Sequence, residues 1–235
     1  MSKQQIIYIK AAVWLLALLP LARLIWLGFN DNLGANPIEF VEHSTGTWAL
    51  VFLLTTLSMT PIRLLTGQLW QIQLRRLLGL FMFFYACLHI TTYVWLDFNF
   101  IWDEIVKDVA KHPRILVGFA AFTLTIPLAA TSNNYMIKRL KTNWKKLHQA
   151  VYLIGVFAVV HYLLLVKKDL TEPLYYAAVL AFLLGIRLYF KYRVKPPQVK
   201  PPQVKPPQVK APQVKLPQVK LPQVKPPQVQ RGVRV

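Results

Sequence analysis

Six long apolar runs, separated by short polar segments, dominate the first 194 residues of the chain. Each run approaches the roughly 20 residues that a helix needs to cross the hydrocarbon core of a bilayer. The runs are apolar throughout and do not alternate with a period of two, which favours helices over the strands of a membrane barrel. The pattern predicts an all-α polytopic domain with six transmembrane helices, at residues 8–28, 45–65, 76–96, 115–132, 149–166 and 173–191.

The first run follows two lysines and has the length and apolarity of a secretory signal peptide. No small-residue cleavage site follows AAVWLLALLP, because the chain continues as LARLIWLGF. We therefore predict that this run is retained as the first helix.

Charged residues alternate between the loops that join the six runs. The loops after the first, third and fifth runs carry acidic residues, whereas those after the second and fourth carry arginine and lysine with no acid. By the positive-inside rule, the second and fourth loops and both termini are predicted to be cytoplasmic.

The composition supports a membrane protein. The chain is 55% hydrophobic and 16% charged, whereas about 25% of the residues of a soluble domain are charged. Its net charge is +19, and in a membrane protein such an excess indicates cytoplasmic loops and contact with lipid, not nucleic-acid binding. The single cysteine, Cys87, lies within a span, so no intrachain disulfide can form.

Residues 195–235 form a separate segment that begins with seven pentapeptides and ends in QRGVRV. The pentapeptides are KPPQV, KPPQV, KPPQV, KAPQV, KLPQV, KLPQV and KPPQV. Paired prolines favour an extended polyproline II chain, and the repeated lysine keeps it solvated. The segment is predicted to be a disordered, basic, proline-rich cytoplasmic tail. Docking to a polyproline-reading domain and tethering to anionic lipid are the open alternatives.

Three histidines, His89, His148 and His161, lie on very apolar segments. An ionisable residue within a span costs about 2.5–3.5 kcal/mol or more and usually marks a functional site. His89 follows Arg76 by 13 residues, and His161 follows His148 by 13 residues, on spans that run in the same direction. At about 1.5 Å per residue, His89 and His161 are predicted to share one depth near the outer face. His148 is predicted to lie about 20 Å further in, at the depth of Arg75 and Arg76.

Two imidazoles at one depth can ligate a single iron from both faces of a heme, which favours electron transfer over oxygen binding. His148 with Arg75 and Arg76 instead suits an anionic or carbonyl-bearing ligand, such as a flavin phosphate, a heme propionate or a quinone oxygen. Two simpler interpretations remain open. The histidines can serve only as hydrogen-bonding groups between helices, and the arginines only as anchors at the membrane surface.

Several segments together resemble a known family. LGANPIEFVEHSTGTWAL, TPIR, RRLLGL, LHITTY, LHQAVYL and HYLLLVK follow one another along the chain. They resemble the heme-binding membrane subunits of bacterial periplasmic protein-methionine-sulfoxide reductase systems, which belong with the ferric-reductase-like transmembrane proteins. The resemblance covers residues 1–194 and excludes the pentapeptide tail.

The resemblance implies a six-helix protein of the inner membrane that holds b-type heme, with FMN or a quinone as a second cofactor. It implies electron transfer from the quinone pool or a cytoplasmic flavin reductase to a periplasmic molybdopterin enzyme that reduces methionine sulfoxide in oxidised proteins. By motif, His89 and His161 match the axial ligands of the heme iron. His148 matches a further histidine, either a heme ligand or part of the second site, and Arg75 and Arg76 match a paired arginine at the second cofactor.

The sequence contains no dinucleotide fingerprint and no soluble flavin domain. We therefore expect a non-catalytic electron-transfer subunit that takes no hydride from NADPH itself. The outer loop at residues 97–114, with four acidic residues, is the predicted docking surface for the periplasmic partner. Two rival functions stay open: a transporter or proton relay that uses the same histidines, and a scaffold whose working part is the proline-rich tail.

Overall fold

The structure is a computed structural model, and it describes residues 2–166 and 169–193, without the side chains of Lys3 and Arg193. The predicted disordered tail lies outside the described residues. Within them the chain forms helices and no strand. The helices are α1 (Lys3–Phe29), α2 (Pro37–Thr66), α3 (Arg75–Thr92), α4 (Trp102–Lys111), α5 (Pro113–Ala130), α6 (Asn134–Leu140), α7 (Thr142–His148), α8 (Ala150–Leu165) and α9 (Thr171–Arg193).

Six helical segments are long and apolar enough to cross a membrane, which confirms the predicted number of spans. They are Gln4–Phe29, Pro37–Thr66, Trp70–Asp97, Pro113–Ala130, Thr142–Leu165 and Thr171–Tyr192. The second and fifth begin seven or eight residues before the apolar runs that predicted them. Polar residues extend these helices because their backbone groups still pair along the helix beyond the apolar run.

The caps of α2 show how the chain sets a span boundary. The Asn36 side chain accepts a hydrogen bond from the backbone N–H of Glu39 at 3.3 Å, and Pro37 occupies the first turn, where its missing N–H costs nothing. At the other end Gly67 adopts a left-handed conformation with φ of 70° and closes the helix on the Arg63 carbonyl. The boundary therefore follows from turn chemistry and not from hydropathy alone.

The bundle is built from two helix pairs. α2 packs along α3, α5 packs along α8, and α9 packs against α2 and α8. The core between them contains stacked rings of Phe52 with Phe81 and of Phe52 with Tyr85.

We call the end with the α1–α2, α3–α5 and α8–α9 connections the acidic end, and the end with the α2–α3 and α5–α8 connections the basic end.

Tyr85 joins α3 to α1 at a proline. Pro20 lies inside α1 and has no N–H to donate along the helix. In the adjoining turn the Tyr85 hydroxyl accepts a hydrogen bond from the Leu21 N–H at 3.2 Å and donates one to the Ala17 carbonyl at 2.8 Å. Tyr85 is 1% exposed, so these contacts are shielded from water.

We expect Tyr85→Phe to lower the free energy of unfolding by about 1–3 kcal/mol, because two backbone groups lose a buried partner. The thermal unfolding midpoint of the purified protein in detergent measures this change. Tyr135→Phe is the matched control, since Tyr135 is 66% exposed. An equal midpoint for the two variants would show that the buried hydroxyl contributes nothing.

Candidate functional site

A cavity of about 420 Å³ lies among α2, α3, α5 and α8, toward the acidic end. Its volume is within the roughly 300–1,000 Å³ that is usual for small-molecule and cofactor sites. Most of its wall is apolar, and His89 and His161 both face it. Glu42, Asp97 and Asp108 line the part nearest the acidic end.

The two histidine rings lie opposite one another. Their centroids are 6.2 Å apart and the ring planes meet at 70°. Two metal–imidazole bonds of about 2 Å, together with the distance from each ring centre to its nitrogen, account for a separation of this size. No group of three or more His, Cys, Asp or Glu side chains among the described residues is arranged to hold a metal ion. The pair therefore suits a metal that brings its remaining ligands with it, as heme iron does.

The hydrogen bonds of the two rings fix their protonation. His89 Nδ1 lies 3.0 Å from the Glu42 carbonyl oxygen, and His161 Nδ1 lies 2.7 Å from that of Arg114. A carbonyl oxygen can only accept, so each Nδ1 carries the proton and donates. Each Nε2 is then left with a free lone pair, which is the form of imidazole that binds a metal.

Two glycines make room for the rings. A Cβ on Gly46 would lie 3.1 Å from His89 Cε1 and Nδ1, and a Cβ on Gly118 would lie 2.8 Å from His161 Nδ1. Any side chain at either position would push into the imidazole. These glycines were not predicted as site residues, and their contact with the imidazoles is seen only once the helices are packed.

The two halves of the site share one plan. Each histidine bonds a carbonyl 47 residues earlier in the chain. In each half a glycine follows that carbonyl residue by four positions. Glu42, Gly46 and His89 correspond to Arg114, Gly118 and His161 after a shift of 72 residues. The same shift relates Arg76 to His148 at the basic end. This spacing could have pointed, in the sequence alone, to the paired histidines and their two glycines.

His148 lies at the basic end, apart from the paired histidines. Its ring stacks on Trp144 with centroids 4.0 Å apart. Its Nδ1 donates to the Trp144 carbonyl at 3.1 Å, and its Nε2 lies 3.5 Å from the Ser132 hydroxyl. Arg75 is within electrostatic reach of His148. The structure thus brings together two of the three residues predicted for the second site.

Arg76 points elsewhere. Its side chain is exposed, and its Nη1 donates to the Asn134 side chain at 3.0 Å. Arg75 is half-buried, and its Nε is fully buried. The adjacent arginines therefore occupy different environments, one inside the bundle and one on its surface.

Asp108 connects the predicted outer loop to the cavity. Its carboxylate accepts a hydrogen bond from the Tyr93 hydroxyl at 2.8 Å and pairs with His112 Nδ1, also at 2.8 Å. Tyr93 and Asp108 both line the cavity. These contacts hold α4 over the acidic end of the site.

The fold and the site define the class of protein. Residues 45–159 match the family of the ferric reductase like transmembrane component. This stretch includes His89 and His148 and ends two residues before His161. The molecule is thus a helical, multi-pass membrane protein of the ferric-reductase-like class. No solved structure matches the chain significantly.

Full-length relatives define the family more closely. The chain is 51% identical to the protein-methionine-sulfoxide reductase heme-binding subunit MsrQ of Ralstonia nicotianae, over 79% of this chain and 87% of the relative. It is 47% identical to the MsrQ subunits of Herminiimonas arsenicoxydans, over 82% and 89% of the two chains, and of Xanthomonas euvesicatoria pv. vesicatoria, over 81% and 90%. The chain belongs to the MsrQ family, as the sequence resemblance predicted.

Proposed function

We propose that this protein carries electrons across the inner membrane through a b-type heme whose iron is ligated by His89 and His161. The observation that carries the proposal is the pair of facing imidazoles, whose ring centroids lie 6.2 Å apart in one cavity of about 420 Å³. The names of the MsrQ relatives, which describe heme-binding subunits, support the same assignment. Heme supplies one-electron redox chemistry when it is bound.

The residues around the pair favour electron transfer. The carbonyls of Glu42 and Arg114 orient the rings and increase the basicity of each Nε2 through the Nδ1–H bonds. His89 and His161 would together hold the heme iron, and a heme held by two imidazoles would supply electron transfer rather than oxygen binding. Most of the cavity wall around the two rings is apolar.

We place the electron donor at the basic end, which the positive-inside rule makes cytoplasmic, with both termini on that side. His148 and Arg75 form the proposed site for FMN or a quinone, whereas Arg76, predicted with them, lies on the surface of the same end and bonds Asn134. His148 is also the further candidate for heme ligation. The donor is the quinone pool or a cytoplasmic flavin reductase. The transmembrane domain at 1–194 performs this work, and the tail at 195–235 is a separate segment.

The electron acceptor is a periplasmic molybdopterin methionine-sulfoxide reductase, which repairs oxidised proteins. We propose that it docks at the acidic end against α4. Asp103 and Glu104 are exposed there, beside Trp102 and Val106, which are 64% and 66% exposed. Two exposed acids beside exposed apolar side chains suit a transient partner that presents basic groups to them.

Neutralising these two acids with Asp103→Asn and Glu104→Gln should slow electron delivery to the partner several-fold at low ionic strength. The reason is that opposite charges speed the encounter of two proteins. Stopped-flow oxidation of the reduced protein by the partner measures the rate. Asp31→Asn is the control, since Asp31 is an exposed acid on another loop of the same end. Equal rates in all the proteins would rule out docking through α4.

A visible spectrum of the purified protein tests the function. An electron carrier shows a Soret band that shifts on reduction with dithionite. A transporter or proton relay built on the same histidines predicts a folded, colourless protein. Deleting residues 195–235 should leave the spectrum and electron delivery unchanged, whereas a scaffold that acts through its tail would lose function.

A further inference from the structure

Three arginines from three helices meet at the basic end of the bundle. Arg63 lies in the last turn of α2, Arg75 begins α3, and Arg187 lies in the last two turns of α9. Arg75 interacts electrostatically with both Arg63 and Arg187. We call these three residues the arginine cluster.

The arginine cluster is only partly satisfied by the protein. The Nε atoms of all three residues are buried and have no hydrogen-bond partner among the described residues. Arg187 donates to the Tyr152 hydroxyl and to the Leu57 carbonyl, and its guanidinium lies 5.1 Å from the centre of the Tyr152 ring. These contacts fix the direction of Arg187, while Arg63 and Arg75 keep their donors free within the described part of the chain.

No carboxylate side chain of this protein can neutralise the cluster. The chain has nine acidic residues, and all lie at the acidic end, at Asp31, Glu39, Glu42, Asp97, Asp103, Glu104, Asp108, Asp169 and Glu172. Three like charges on half-buried side chains within electrostatic reach of one another repel. Such an arrangement is stable when an external anion is bound between the charges.

We propose that the arginine cluster is a binding site for a phosphate group of a membrane-associated ligand. Guanidinium forks match phosphate oxygens in pairs, and a phosphate has enough acceptor oxygens for three arginines. The phosphate comes either from a flavin mononucleotide or from the headgroup of an anionic lipid. The flavin source rests on the proposed function, because the cluster shares Arg75 with the proposed second-cofactor site. The phosphate site itself does not depend on that proposal.

The flavin source is tested by comparing two probes on the full-length protein in detergent. FMN and riboflavin differ only in the phosphate, so the structure predicts that FMN binds at least about tenfold more tightly. Arg63→Gln should reduce FMN affinity to the level of riboflavin, and it breaks no hydrogen bond within the described protein. Arg139→Gln, an exposed arginine of the same end, should leave the preference for FMN unchanged.

The lipid source is tested by native mass spectrometry after exposure to phosphatidylglycerol or to phosphatidylcholine. Preferential retention of phosphatidylglycerol that is lost in Arg63→Gln and in Arg187→Lys, but kept in Arg139→Gln, would support the site with a lipid occupant. The lysine variant keeps the charge and loses the paired geometry, so it separates phosphate recognition from simple attraction.

Thermal stability provides an independent measurement. If the cluster holds a phosphate, the ligand should raise the unfolding midpoint of the wild type and not that of Arg63→Gln. If the cluster holds none, Arg63→Gln should be the more stable protein under all conditions, because a like charge has been removed. The proposal is overturned if neither phosphate-bearing probe is preferred by the wild type. It is also overturned if Arg63→Gln binds both probes as the wild type does.

Discussion

Replacing His89 or His161 by alanine is expected to remove most of the heme from the purified protein. Each imidazole is proposed as one of the two axial ligands, and loss of a residue that merely orients a metal ligand already costs about 10–100-fold in affinity. The heme-to-protein ratio should therefore fall more than tenfold, and the Soret band should collapse. The two variants should behave alike, because the rings face one another across one cavity.

Two other histidines control for the loss of an imidazole as such. His112 pairs with Asp108 and does not line the cavity, so His112→Ala should keep the full band. His148 stacks on Trp144 at the basic end, and His148→Ala should keep most of it. If His148→Ala lost as much of the Soret band as His89→Ala, the assignment of His89 and His161 as the ligand pair would be contradicted.

The sequence was sufficient to predict the number of spans and the proximity of His89 and His161. Burial in a bilayer demands long apolar runs, so the runs themselves indicate the helices. The depth of His89 and His161 followed from the rise per residue and from their equal distances to basic residues on parallel spans. The prediction that His89 and His161 share one depth needed no knowledge of how the helices pack, because both histidines lie within regular helices.

The parts that the sequence did not predict depend on packing. Gly46 and Gly118 matter because their missing side chains lie beside imidazoles from other helices. Arg187 lies within the last span, where the hydropathy pattern does not distinguish it from Lys191, and its contacts come from α2 and α8. The different environments of Arg75 and Arg76, by contrast, follow from the helical period, because Arg75 precedes His89 by 14 residues and so lies only about 40° from it around the helix axis.

Gly118→Ala is expected to disrupt the site, although alanine in place of glycine usually favours a helix by about 1 kcal/mol. The new Cβ would lie 2.8 Å from His161 Nδ1, a ring that is already held 2.7 Å from the Arg114 carbonyl. The ring must move, and its hydrogen bond must lengthen or break. Heme affinity should fall about 10–100-fold, as it does when other partners of a metal-bound histidine are lost.

The glycines of this chain form a graded series that tests the steric argument. Gly46→Ala places its Cβ 3.1 Å from His89, so heme affinity should fall only a few-fold. Gly185→Ala meets nothing within 4 Å and should leave the heme content unchanged while gaining helix stability. The heme-to-protein ratio of the three variants should therefore rise in the order Gly118→Ala, Gly46→Ala, Gly185→Ala. All three substitutions add the same methyl group to a helix. Any other order would therefore mean that the distance between the new Cβ and the imidazole does not determine heme affinity.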